Sequence, residues 1–143
     1  MENKEDEVIQ KTLMQLESGR RQLESLSKQG QMVEAAIAEV NSTIQALNSL
    51  EDIDEGTEML VALGTNTFVK AALKDKDDIL VGVGSGLSVE KKRSEAVKSL
   101  ESRNDELTKT LEKIQKMSAE LGFRIADLNE AAERMIRKAR KQQ

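Results

Sequence analysis

The sequence predicts a mostly helical chain with a small β insert: a long antiparallel coiled-coil hairpin carrying two β-hairpins at its closed end. Three observations point there. Apolar residues recur with period seven in two long segments, a glycine-punctuated β-rich stretch separates those segments, and proline is absent while Phe68 and Phe123 are the whole aromatic content. Alternating steps of three and four keep apolar side chains on one seam of a supercoiled helix. Thin helices bury little area per residue, which suits a chain that is 34% charged and almost without aromatic rings. At 143 residues the chain is read as a single unit, with an N-terminal helix over 2–52, two β-hairpins over 57–89 and a C-terminal helix over 90–143.

In the first helix one column reads Ile9, Leu16, Leu23, Gly30, Ile37 and Ile44. A second, Leu26, Val33, Val40 and Leu47, follows three residues behind. Glu2, Glu5, Asp6 and Glu7 complement the positive end of the helix dipole. Gly19 and Gly30 fall on the seam, where each costs up to about 1 kcal/mol against Ala. A polar run around Gly56 ends the helix.

Two apolar runs, 59–63 and 67–73, flank Gly64-Thr65-Asn66, and two more, 79–83 and 87–89, flank Gly84-Ser85-Gly86. β-formers around a Gly/Asn turn are a hairpin signature. Four short strands cannot bury both faces alone, and open edges invite pairing with another chain. Leu60, Val61, Leu63, Phe68, Val69, Leu73, Ile79, Val81, Val83, Leu87 and Val89 are therefore the candidate oligomerisation residues. The run 82–86 lacks both the Lys-Ser/Thr of a P-loop and GxGxxG spacing, so it is read as a tight turn and not as a phosphate loop.

The second helix carries Val97, Leu100, Asn104, Leu107, Leu111, Ile114, Ser118, Leu121, Ile125, Leu128, Ala132 and Met135 on its seam. Pairing residues whose numbers sum to 144 matches bulk with gaps: Gly30 faces Ile114, Gly19 faces Ile125, and Asn104 faces Val40. Between residues 90 and 116 the one apolar residue read as off the seam is Ala96. Large off-seam apolar groups instead gather toward the chain ends. Val8, Leu13, Met14, Phe123, Met135 and Ile136 are read either as scattered surface apolar groups or as an adaptable apolar tip that grips other proteins. The basic end, with Arg134, Arg137, Lys138, Arg140 and Lys141, reads either as a solvated turn that complements the dipole or as an anion or RNA contact.

With no Cys and no His, the chain lacks disulfides, thiolate nucleophiles, imidazole acid–base groups and the usual zinc ligands. Its charges do not converge, so no enzyme, metal site or cofactor is expected. A net charge of −4 argues against a dedicated nucleic-acid binder. No apolar run approaches a membrane span and the start of the chain has no apolar signal region, so a cytoplasmic protein is expected.

Two segments, LVALGTNTFVKAAL (60–73) and ILVGVGSGLSVEK (79–91), resemble the two hairpins of archaeal alpha-class prefoldin subunits, roughly LVPVGxGxFxKAxL and hVxVGxGhxhEK. Ala62, where the family often has Pro, and Thr65-Asn66 depart from that pattern. The resemblance implies a hetero-hexamer of two alpha and four beta subunits, whose hairpins build a platform for coiled-coil tentacles. It implies an ATP-independent chaperone that holds unfolded clients at the tips and passes them to a group II chaperonin. A structural coiled-coil scaffold and an adaptor for one specific helix are the other readings of the residues.

Overall fold

Period-seven seams fold as two long helices, and the β-rich stretch between them folds as two separate hairpins. In the computed structural model, which describes residues 2–143 except for the side chain of Glu2, the order is α1 (Glu2–Ser49), a 3-10 turn (Leu50–Asp52), β1 (Glu58–Gly64), β2 (Thr67–Ala72), β3 (Asp78–Gly84), β4 (Leu87–Lys92) and α2 (Arg93–Lys141). Contacts gather into two compact units, residues 1–35 with 108–143 and residues 36–107.

The first unit is helical. Along its part of α1, burial falls on Ile9, Thr12, Leu16, Gly19, Leu23, Leu26, Gly30 and Val33, the 3/4 seam itself. A Cβ built on Gly30 would lie 3.6 Å from Ile114 Cγ2, and one on Gly19 would lie 3.1 Å from Ile125 Cγ1. Both pairs obey the sum of 144, so the bulk-for-gap register holds here. Thr12 and Ala132, a further pair in that register, are both buried. The Thr12 hydroxyl is satisfied inside its own helix, donating to the Val8 carbonyl at 2.9 Å. Ion pairs in this unit, Arg21–Glu17, Lys28–Glu24 and Arg137–Glu133, are exposed i,i+4 pairs within one helix. Each is worth about 0.3–0.5 kcal/mol, so the seam and not the charges holds the helices together.

In the second unit Val40, Leu47 and Ala96 are buried. Ala96 corrects the expectation that it lies off the seam: it is only 2% exposed. A methyl group stays close to the helix axis, so little neighbouring bulk is needed to bury it. Asn104 differs as well. Its Nδ2 donates to Asn41 Oδ1 at 3.1 Å, so its amide reaches past Val40 to the next residue. A seam polar group that finds one specific partner favours a single register.

The two hairpins repeat one design twenty residues apart. Val61 pairs with Val69 and Val81 with Val89, and each ladder shifts register just before its turn glycine, Gly64 or Gly84. Asn66 (φ 51°) in the first turn, and Gly84 (102°), Ser85 (52°) and Gly86 (74°) in the second, adopt left-handed backbone. β4 continues through Lys92, past the expected hairpin end at 89, because the ladder pairs Ile79 with Lys91 and Asp78 with Lys92. Backbone pairing and the Lys92–Asp78 bond at 2.6 Å carry these charged residues into the strand, so α2 starts at Arg93 and not at 90.

The hairpin bases are closed by backbone bonds. The Gly56 amide donates to the Leu73 carbonyl at 2.6 Å, and the Arg93 amide to the Asp77 carbonyl at 2.7 Å. Between the hairpins, Asp75 Oδ1 accepts the amides of Asp77 and Asp78 at 2.9 and 3.1 Å. These bonds, with the charge of Lys92 as a smaller contribution, hold the Asp75 carboxyl below its ordinary range.

Candidate functional site

Strand alternation gives each hairpin two distinct faces. In the first, Met59, Val61, Val69 and Ala71 share one face while Leu60, Ala62, Phe68 and Lys70 share the other. In the second, Ile79, Val81 and Val89 lie on one face, and Leu80, Gly82, Ser88 and Glu90 on the other. The chain covers little of either. Leu60, Val61, Leu63, Phe68, Val69, Val83, Leu87 and Val89 are exposed, Phe68 at 57%, while Leu73, Ile79 and Val81 are half-buried. Leu80, exposed at 70%, belongs with this set although the sequence reading passed over it. Its alternation with Ile79 and Val81 was the available signal. An exposed apolar surface of this density is a candidate docking surface.

A second apolar set lies in the helical unit. Val8, Leu13, Met14 and Phe123 are exposed, Met14 at 71% and Phe123 at 75%. Met135 and Ile136 are half-buried, so Ile136 is not a freely presented off-seam residue. The i,i+4 turn of the helix brings it round beside the seam column that holds Ala132 and Ala139. Val8, Ile9 and Met135 come together in a hollow of about 270 Å³ rimmed by Lys4, Glu5 and Lys138. Leu13, Met14 and Phe123 do not line it. Met117 and Met32 are also exposed apolar groups on these helices. Met32 escaped the sequence reading because its neighbours at helical spacing are Lys28, Gln29, Ala35 and Ala36, none of them a large apolar residue.

Arg134, Arg137, Lys138 and Lys141 line an open hollow with Glu130, and Arg137 is paired with Glu133 at 3.8 Å. The carboxylates of Glu55, Asp75 and Asp77 come within 4.8 Å of one another at the exposed hairpin bases. Asp75 is engaged by two backbone amides and Asp77 lies 3.9 Å from Arg93, so this cluster serves the turn. Among the described residues no helix is long and apolar enough to cross a membrane.

Comparison with known proteins agrees with this geometry. The prefoldin subunit family model matches residues 20–138. The prefoldin subunit alpha of Thermofilum pendens is 34% identical over 112 residues, covering 78% of this chain and 79% of that protein. That of Pyrococcus horikoshii is 34% identical over 118 residues, covering 82% and 80%, and that of Methanosarcina barkeri is 38% identical over 105 residues, covering 71% of each. Among solved structures, a chain of filamentous prefoldin from Methanocaldococcus jannaschii superposes with a TM-score of 0.71 at 28% identity, over 80% of this chain and 95% of that one. The prefoldin beta subunit from Thermococcus strain KS-1 shares the fold, with a TM-score of 0.57 at 20% identity, over 87% and 89%. Two long helices, two antiparallel hairpins and this run of relatives lead to one conclusion: the chain belongs to the prefoldin family of non-enzymatic chaperone subunits, on its alpha side.

Proposed function

We propose that this chain is the alpha subunit of an ATP-independent holdase, a hetero-hexamer with four prefoldin beta subunits. It binds unfolded proteins through apolar side chains of its helical unit and hands them to a group II chaperonin. The observation that carries the client role is the exposure of Val8, Leu13, Met14 and Phe123 on helices that already possess a complete apolar seam. Side chains that contribute nothing to the seam but stay apolar are available to a partner. Each contributes about 1.5–3 kcal/mol when fully buried by a client. Met adds adaptability to clients of differing shape. Met135 joins through the hollow it shares with Val8, and Ile136 plays a smaller part because it is half-buried. The hairpin residues supply the assembly surface.

The test is the variant Leu13→Ser, Met14→Ser, Phe123→Ser, assembled with beta subunits. All three positions are exposed, so helicity and assembly mass should be unchanged. Protection of a chemically denatured protein against aggregation should fall by half or more. Full protection by the correctly assembled variant would assign client binding to the beta subunits and leave this chain the role of a platform.

A further inference from the structure

Coiled coils commonly carry charges in the columns beside the seam, where they pair across the helices. In the helical unit, the α1 column one residue before Ile9, Leu16, Leu23 and Gly30 is Val8, Gln15, Gln22 and Gln29, with no charge in a chain that is 34% charged. Two hollows of about 390 and 410 Å³ run along this flank and share Gln22, Leu121 and Arg124. Gln29 and Met117 line the first, Gln15 and Gly19 the second, so three glutamines border one continuous groove. Its floor is apolar, with Leu26 and Leu121 half-buried, and Met117 stands at its edge with 54% exposure. Gln15 and Gln22 make no side-chain hydrogen bond among the described residues, and Gln29 makes a long one to Ser25 Oγ at 3.3 Å.

The spacing of these amides selects an occupant. Seven helical residues rise about 10.5 Å. Three residues of a polyproline-II chain advance about 9.3 Å and return the same backbone edge to the same side, and this conformation is a major one in unfolded chains. The difference of about 1 Å per step is within the swing of a Gln side chain. A glutamine amide both donates and accepts, so it can bond a peptide group whatever the residue type. We propose that this flank is a backbone-reading groove for extended polypeptide. Gln15, Gln22 and Gln29 bond peptide groups three residues apart, and Leu26, Met117 and Leu121 take the apolar side chains between them. This rests on the chaperone reading above and adds a second contact, lined by different residues from the Val8–Met135 hollow. It also supplies what apolar tips lack, a grip that is independent of client sequence.

The test compares a fluorescent, unstructured twelve-residue apolar peptide with its analogue N-methylated at every residue, so that no backbone edge keeps an N–H, titrated against the assembled complex. The wild-type chain should bind the parent peptide about tenfold more tightly than the analogue. Gln15→Ala, Gln22→Ala, Gln29→Ala should reduce that preference to within twofold, with helicity unchanged because all three positions are exposed. Leu13→Ser, Met14→Ser, Phe123→Ser should weaken both peptides and keep the preference. Equal binding of the two peptides by the wild type, or a preference that survives in the glutamine variant, overturns the groove and leaves the tip reading standing. Failure of the wild type to bind either peptide overturns both.

Discussion

A Cβ at Gly30 would meet Ile114 at an ordinary 3.6 Å, whereas one at Gly19 would crowd Ile125 at 3.1 Å. Ala regains about 1 kcal/mol of helix propensity over Gly. Gly30→Ala should therefore stabilise the chain by about 1 kcal/mol, while Gly19→Ala loses much of that gain in moving Ile125. Gly30→Leu should instead cost about 1–3 kcal/mol by overpacking. Thermal unfolding followed by circular dichroism ranks the three, and the opposite order for the two alanines would contradict the register. These glycines were legible in the sequence because each gap on one helix meets bulk on the other. Thr12 and Ala96 were not recognised as buried, although both are, whereas Ala132 is buried as its place on the seam requires. Burial follows position on the seam, whereas a hydropathy pattern passes over a hydroxyl or a lone methyl. Asn41 was beyond reach altogether, since its bond to Asn104 depends on side-chain direction. At the second turn, Ser85 holds φ at 52°, a conformation that costs an L-residue about 1–2 kcal/mol. Ser85→Gly should recover about 1 kcal/mol, read as slower amide exchange along β3 and β4.

At the scale of elements, the hairpins owe their bases to charge as well as to backbone bonds. The Asp75 carboxyl is held below its ordinary value, chiefly by the amides of Asp78 and Asp77. A depressed carboxyl contributes stability above its unfolded pKa and loses it as the pH falls through the folded one. Lys92 is held above its ordinary 10.5 by its bond to Asp78, so its contribution is present below that value and fades as the pH rises past the raised one. Amide exchange at Asp77 and Asp78 should accordingly accelerate below about pH 4, beyond the intrinsic pH dependence of exchange. Asp75→Asn, which keeps the Oδ1 acceptor, should remove that acid limb, and an unaltered limb would assign it to another carboxylate. The strand cores around Val61, Val69, Val81 and Val89 were plain in the sequence as β-formers around turn residues. The end of β4 was not, because Glu90, Lys91 and Lys92 read as helical while their backbone is held by the ladder to β3.

For the whole molecule, the hairpins present apolar residues on both faces, and the residues read from sequence as an assembly surface are largely exposed in the isolated chain. In the proposed assembly these residues are the ones that partner subunits cover. Phe68→Ser should weaken assembly by about 3 kcal/mol, the scale on which a buried aromatic contributes. Mass photometry across a dilution series would show it, and an unchanged dissociation midpoint would leave Phe68 outside the interface. The most direct measurement is native mass spectrometry of this chain mixed with a prefoldin beta subunit and a chemically denatured client, without nucleotide. The expected species holds two copies of this chain, four beta subunits and one client. A chain that remains unassembled, or an assembly of that composition that retains no client, would contradict a client-holding hexamer.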